Sequence, residues 1–328
     1  MIGSENFPVI SRVSRLWVGK REDTAVEFDA TESLTETRFV TFYSGSISPA
    51  FRGRGCEWAF FSIIILFSSC QKSTPVIPEP ETQKILALSH TRTDADFKLS
   101  EEVSQIDFTQ FEMLLLGGDL SVNSDSAVLD WLDKVYDLGN ENTLWALGNH
   151  DYDRTDLIPE FTHRPLFYEK SWGKITFLVL DTQENSSQIT PSQLDLINSV
   201  TDTLSETKYL VLLHHKLLWM PGHPELESQI PEVANSGLGD CHFCTNPNNF
   251  YDMLYPKLIE VKNKGIEVIC LGGDIGFKSK SFEFQTTDGI WFLATGILAG
   301  DSGNLALVFE YDVEKGSLIW NFRRLNKL

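Results

Sequence analysis

The reading of this chain turns on Thr143-Leu144-Trp145-Ala146-Leu147-Gly148-Asn149-His150-Asp151. The apolar run 144–147 has the length and composition of a short buried strand. Gly148 lets the chain turn sharply off its end. An amide, an imidazole and a carboxylate then follow in succession. Open α/β sheets put their ligand sites at such C-terminal strand edges. A buried strand needs none of these three groups at its tip, so they point to chemistry.

The same pattern recurs on both sides of this stretch. Residues 85–88 read as a strand ending in Ser89-His90-Thr91-Arg92, and 113–116 as one ending in Gly117-Gly118-Asp119. Residues 175–180 end in Asp181, 209–213 in His214-His215, and 266–271 in Gly272-Gly273-Asp274. Between them, 124–138 carries apolar residues at 128, 131, 132 and 135, which is helical spacing, with Ser124 or Ser126 as N-cap. Thr190-Pro191-Ser192-Gln193 opens a second helix, with proline in its first turn. Residues 250–264 read as a third, closed by Gly265. Late strands are expected at 290–294, 305–311 and 318–322. This alternation implies an α/β sandwich over residues 84–328. A loop insertion at 216–248, rich in Pro, Gly and Asn, is expected to cap the site.

Composition narrows the function. The chain has 328 residues, 42% of them hydrophobic, which is enough for a large core. A net charge of −19 repels nucleic acid and anionic lipid, which argues against a general DNA or RNA binder. Five cysteines are too few for a disulfide scaffold at this length. Cys270 lies in an apolar run and reads as an inert core residue. Cys241-His242-Phe243-Cys244 has no second CxxC, so it reads as a local disulfide or two free thiols rather than a zinc site. Gly300-Asp301-Ser302-Gly303 reads as a hairpin turn.

The N-terminal part is organised differently. Residues 1–57 show no period and are expected to be disordered or absent from the mature protein. Residues 58–70 combine an apolar run with a cysteine, behind the basic flank Arg52 and Arg54. The run is too short for a bilayer span of about 20 residues but suits a signal-peptide core. Leu66-Phe67-Ser68-Ser69-Cys70 resembles a bacterial lipobox, which implies a lipid on Cys70 and an exported, membrane-anchored protein on the periplasmic or cell-surface side. Residues 71–83, with Pro75, Pro78 and Pro80, read as a tether. Residues 1–69 carry 7 basic and 8 acidic side chains, so without them the charge is still −18 and the acidity belongs to the domain.

Five strands thus end in His90/Arg92, Asp119, Asn149/His150/Asp151, His214/His215 and Asp274. These oxygen and nitrogen donors suit Mn, Fe or Zn. On Gly118-Asp119, Gly148-Asn149-His150-Asp151 and His214-His215, the chain resembles the calcineurin-like metallophosphoesterase family over roughly 84–325. The resemblance implies a four-layer α/β/β/α sandwich. It implies that Asp119 bridges two metals, that Asn149 and His214 bind the second, that His150 assists the leaving group or steadies the phosphate, and that Asp151 orients His150 by a hydrogen bond.

The chain departs from that family at both ends of the pattern. Where the family has Asp-x-His, this chain has His90 and Arg92; where it has Gly-His-x-His, this chain has Gly273, Asp274 and Gly276. The expectation is therefore one divalent ion, with two as the alternative, held by Asp119, Asn149, His214 and Asp274. Arg92 stands in for the other metal and grips phosphate, while His90 donates to phosphate or ligates weakly. His215 is expected behind His214. The expected activity is hydrolysis of a small phosphomonoester or phosphodiester by a metal-activated water. The alternative is a degenerate lipoprotein of the same fold that binds a phosphorylated or glycan ligand without turnover.

Overall fold

The computed structural model describes residues 82–95 and 97–328. The readings of 1–57, of 58–70 and of nearly all of the 71–83 tether lie outside the described residues. Two mixed sheets build the domain. The strands are β1 (Thr82–Leu88), β2 (Met113–Leu116), β3 (Thr143–Trp145), β4 (Tyr168–Trp172), β5 (Ile175–Val179), β6 (Tyr209–Leu213), β7 (Glu267–Gly272), β8 (Ser281–Gln285), β9 (Trp291–Thr295), β10 (Leu305–Asp312) and β11 (Ser317–Arg324). The first sheet has the order β11-β10-β1-β2-β3 and the second β4-β5-β6-β7-β9-β8.

Strand composition explains the layering. The central strands are apolar on both faces, the mark of strands covered on both sides. Ile85 and Ala87 of β1 face the second sheet, where they meet a layer that includes Phe177, Val211, Leu213 and Ile269. Leu86 and Leu88, on the opposite face, pack with Val128, Leu129, Leu132 and Tyr136 of the helix Ser126–Tyr136. The second sheet presents Leu210, Leu212, Val268 and Cys270 to Ile197 and Val200 of the helix Pro191–Thr203 and to Leu258 and Val261 of the helix Tyr255–Asn263. The result is the four-layer α/β/β/α sandwich.

β1, β2 and β3 run parallel, as do β5, β6, β7 and β9. Their C-terminal ends meet at one edge. There the Ser89 hydroxyl lies 2.5 Å from the Gly273 carbonyl of the other sheet and 2.7 Å from that of Thr295. The Ile297 N–H returns to the Ser89 carbonyl at 3.1 Å. The sheets approach so closely that a Cβ on Gly273 would lie 2.0 Å from the Gly117 carbonyl oxygen.

Several local expectations change. β4 and β8 are additional strands, and both lie at edges of the second sheet. Their sequences, YEKSW and SFEFQ, are polar because an edge strand has one face and one flank in water. The cap of the helix Ser126–Tyr136 is Asp125, whose carboxylate takes the Ala127 and Val128 N–H groups. Residues 300–303 do not close a hairpin, since β9 and β10 belong to different sheets. The segment 216–248 is not simply a cap. Leu217, Leu218, Trp219 and Met220 are fully buried in the helix-covered core of the second sheet. Further on it forms the short helix Ile230–Val233 and a disulfide between Cys241 and Cys244. Cys270 is buried and free, as its apolar context suggests.

Candidate active site

Asp119 stands at the centre of the strand edge. It follows β2 with a left-handed backbone (φ 55°), as does His90 after β1 (φ 56°). Such conformations are uncommon outside glycine and mark residues held by their surroundings. Gly148 makes the arrangement possible, because a Cβ there would lie 2.1 Å from Asp119 Oδ1. The His90 N–H donates to the Gly118 carbonyl at 2.9 Å, and the His150 N–H donates to Asp119 Oδ1 at 3.0 Å.

Three side chains converge with their ligating atoms within 4.8 Å of one another: His90, Asp119 and His215, all buried. His90 Nε2 is 2.9 Å from Asp119 Oδ2. That nitrogen is also 2.8 Å from Asn235 Nδ2, so an amide and a carboxylate compete for it. His215 Nδ1 is 2.7 Å from the Gly117 carbonyl, which makes Nδ1 the protonated nitrogen. Its Nε2 is fully buried and has no hydrogen-bond partner. It faces Asp119 Oδ1 at 3.7 Å and Asp274 Oδ1 at 3.8 Å. Leaving a buried nitrogen unpaired costs about 1–3 kcal/mol, so a lone pair aimed between two carboxylates is best accounted for by a cation. The donor set of two imidazoles and a carboxylate fits Mn, Fe or Zn.

The electrostatics agree with that fit. Burial works to raise the Asp119 carboxyl, but His215, His90 and His150 around it outweigh burial and hold it well below the usual carboxylate range. Burial lowers His215 against the pull of Asp119 and Asp274, favouring the neutral imidazole that ligates metals.

The two histidines after β6 exchange their expected places. His214 does not face Asp119: its Nδ1 is 2.6 Å from the Lys216 carbonyl and its ring packs edge-on against Trp219. Burial in that apolar surrounding pushes His214 down to about 3. His215, expected behind it, turns to Asp119. Alternation settles this, because successive residues leaving a strand point to opposite faces. Leu213 faces the layer between the sheets, and His214 follows Leu212 to the helix-covered face.

Asp274 and Asn149 are brought together, and Lys216 is what joins them. Its Nζ is 3.1 Å from Asp274 Oδ2 and 3.3 Å from Asn149 Oδ1. Lys216 is 2% exposed. Sequence reasoning passed over this residue, although a lysine directly after an apolar strand and a His-His pair was the available signal. Arg92 lies at the edge of the cluster, where its buried Nε is 3.9 Å from Asp119 Oδ2 and has no hydrogen-bond partner.

Asp151 does not make the expected bond to His150. Its carboxylate takes the N–H groups of Asp119 (2.6 Å), Leu120 (3.0 Å) and Gly148 (2.9 Å), tying together the loops after β2 and β3. Burial and the nearby Asp119 charge raise it to about 7, against those three donors. The half-buried His150 instead places Nδ1 3.2 Å from the Val122 carbonyl.

A four-layer sandwich with its polar strand ends gathered at one edge is the architecture that the sequence resemblance to the calcineurin-like metallophosphoesterases implied. No family model matches the chain. It is 27% identical over 169 residues to the 3',5'-cyclic adenosine monophosphate phosphodiesterase CpdA of Haemophilus influenzae, a match that covers 47% of this chain and 58% of that protein. Among solved structures, a dimetal phosphatase from Danio rerio aligns over 75% of this chain and 97% of its own, with 11% identity and a TM-score of 0.47. The NAD nucleotidase of Haemophilus influenzae aligns over 75% and 55%, with 12% identity and a TM-score of 0.39.

Proposed function

We propose that this protein is a metal-dependent phosphoric ester hydrolase whose divalent ion is held by His90, Asp119 and His215. The observation that carries the reading is the buried, unpartnered Nε2 of His215, aimed at Asp119 and Asp274 beside the unpartnered Nε of Arg92. A divalent ion at this position would polarise a phosphoryl oxygen and make a water nucleophilic near neutral pH. Arg92 is suited to grip the phosphoryl group, because its planar fork matches two oxygens at once. With His150 Nδ1 committed to Val122, its Nε2 is the nitrogen left to serve the leaving oxygen. Asp119 anchors the ion and, through the His150 N–H, fixes the loop that carries that imidazole.

A nucleotide-type ester is the substrate class that the Haemophilus influenzae relative suggests. The test is hydrolysis of generic phosphomonoesters and phosphodiesters, with cyclic AMP among them, by the full chain and by Asp119→Asn, alongside their Mn, Fe and Zn content. About one ion per chain, lost with activity in the variant, is the expected result. No ion and no turnover in the unaltered protein would leave a ligand-binding role instead.

The lipoprotein reading enters here as part of the same proposal. The Cys241–Cys244 disulfide supports an oxidising compartment. Labelling with an alkyne fatty acid should mark the protein and fail with Cys70→Ala.

A further inference from the structure

We propose that the Lys216 ammonium is a built-in cation occupying the position a second metal ion would take, so that the site accepts a single divalent ion. The inference rests on the metal-site reading above and goes beyond it by assigning Asn149 and the second Asp274 oxygen to Lys216.

The geometry divides the cluster into two halves. On one side are His90 Nε2, Asp119 and His215 Nε2, with ligating atoms within 4.8 Å of one another. On the other are Asn149 Oδ1 and Asp274 Oδ2, two oxygens of the kind that hold divalent ions, with Lys216 Nζ at 3.3 and 3.1 Å from them. Asp274 spans the halves, with Oδ1 3.8 Å from His215 Nε2 and Oδ2 3.1 Å from Lys216 Nζ. A second ion would have to share Asp274 Oδ2 with an ammonium group already in contact with it.

Lys216 has nowhere else to go. The residue is 2% exposed, and its backbone is fixed at both ends: the N–H donates to Thr182 Oγ1 at 3.1 Å, and the carbonyl accepts from Leu218 at 2.9 Å. Moving the ammonium aside would strand a charge in apolar surroundings, with Leu217, Leu218 and Trp219 following directly in the core.

Charge points the same way. Among the side chains that face the two ion positions, Asp119 and Asp274 are matched by Arg92 and Lys216, while Asp151 turns its carboxylate to three main-chain N–H groups. One divalent ion then leaves two positive charges, which a phosphomonoester dianion neutralises. A second ion would leave four, with the ammonium pressed against it, and a buried site screens repulsion at such range poorly.

The test is manganese stoichiometry in the full chain, by titration calorimetry and by electron paramagnetic resonance at saturating Mn. The unaltered protein should bind one ion per chain and give the six-line spectrum of an isolated Mn centre. Lys216→Ala should bind two and give a spin-coupled spectrum. A coupled pair in the unaltered protein, which needs no variant to observe, overturns the proposal. So does a folded Lys216→Ala protein that still binds one ion. No ion in either protein, with Asp119→Asn unchanged, overturns the metal-site reading itself and this inference with it, a result distinct from the other two.

Discussion

Gly273 and Gly117 touch backbone to backbone across the two sheets, and a Cβ on Gly273 would lie 2.0 Å from the Gly117 carbonyl oxygen. Neither partner is a side chain that can swing away. Gly273→Ala should therefore lower stability by at least ~2 kcal/mol, at the upper end of ordinary overpacking. Gly237→Ala, where nothing lies within 4 Å, is the control and should leave the melting temperature unchanged. Equal melting temperatures for the two variants would show that the sheets can part without cost.

The exchange of places between the histidines after β6 separates two variants. His215→Ala should abolish divalent-ion uptake, because it removes the unpartnered nitrogen facing Asp119. His214→Ala should keep the ion but lose roughly 2–5 kcal/mol of stability, as large-to-small changes in a core do, since its ring packs on Trp219. Metal analysis and denaturant melts on both proteins check this. Ion loss in His214→Ala with retention in His215→Ala would reverse the assignment.

Arg92 is read as a phosphate grip, not as part of the ion's cage. Arg92→Gln should raise KM by about 10-fold or more, the loss expected for charge-assisted hydrogen bonds of about 1.5–3 kcal/mol. Ion content should stay the same. Unchanged phosphate affinity and turnover in this variant would remove Arg92 from the site.

Asp181 offers a test by pH. Burial raises its carboxyl above the ordinary 3.8, against hydrogen bonds from Tyr152 and from the Gln183 and Glu184 N–H groups. A carboxyl raised on folding lends its full stability below the unfolded value and loses it as pH rises through the folded one. Asp181→Asn has no charge to bury. The melting-temperature difference should thus move in favour of Asp181→Asn as pH climbs from about 4 to 7. A difference that stays flat over that range would mean Asp181 titrates as it does in water.

Much of this architecture could be read from apolar runs. Strands such as β2 and β6, covered on both faces, stand out in sequence because they carry no charge. The edge strands β4 and β8 escaped notice because half of each faces water and each carries only two apolar side chains, Tyr168 and Trp172 in one and Phe282 and Phe284 in the other. The clustering of His90, Arg92, Asp119 and Asp274 was also legible, since each lies within four residues of a strand end. Which of two adjacent histidines faces inward was not, because it depends on where the strand's pleat stops. The Asp151 contacts were hidden for another reason: its partners are main-chain N–H groups, which leave no mark in a sequence. Lys216 was missed because a lysine after a strand ordinarily reaches solvent.

Every loop that brings a side chain to Asp119 also rivets one sheet to the other. Ser89 holds Gly273 and Thr295, His215 holds Gly117, and the Lys216 ammonium donates to Asn149. The reactive centre is thus the seam of the sandwich, not a fitting added to its rim. A protein built this way has no slack in which to be folded and yet disarmed by warmth: heat inactivation and the parting of the sheets become a single event, with one midpoint.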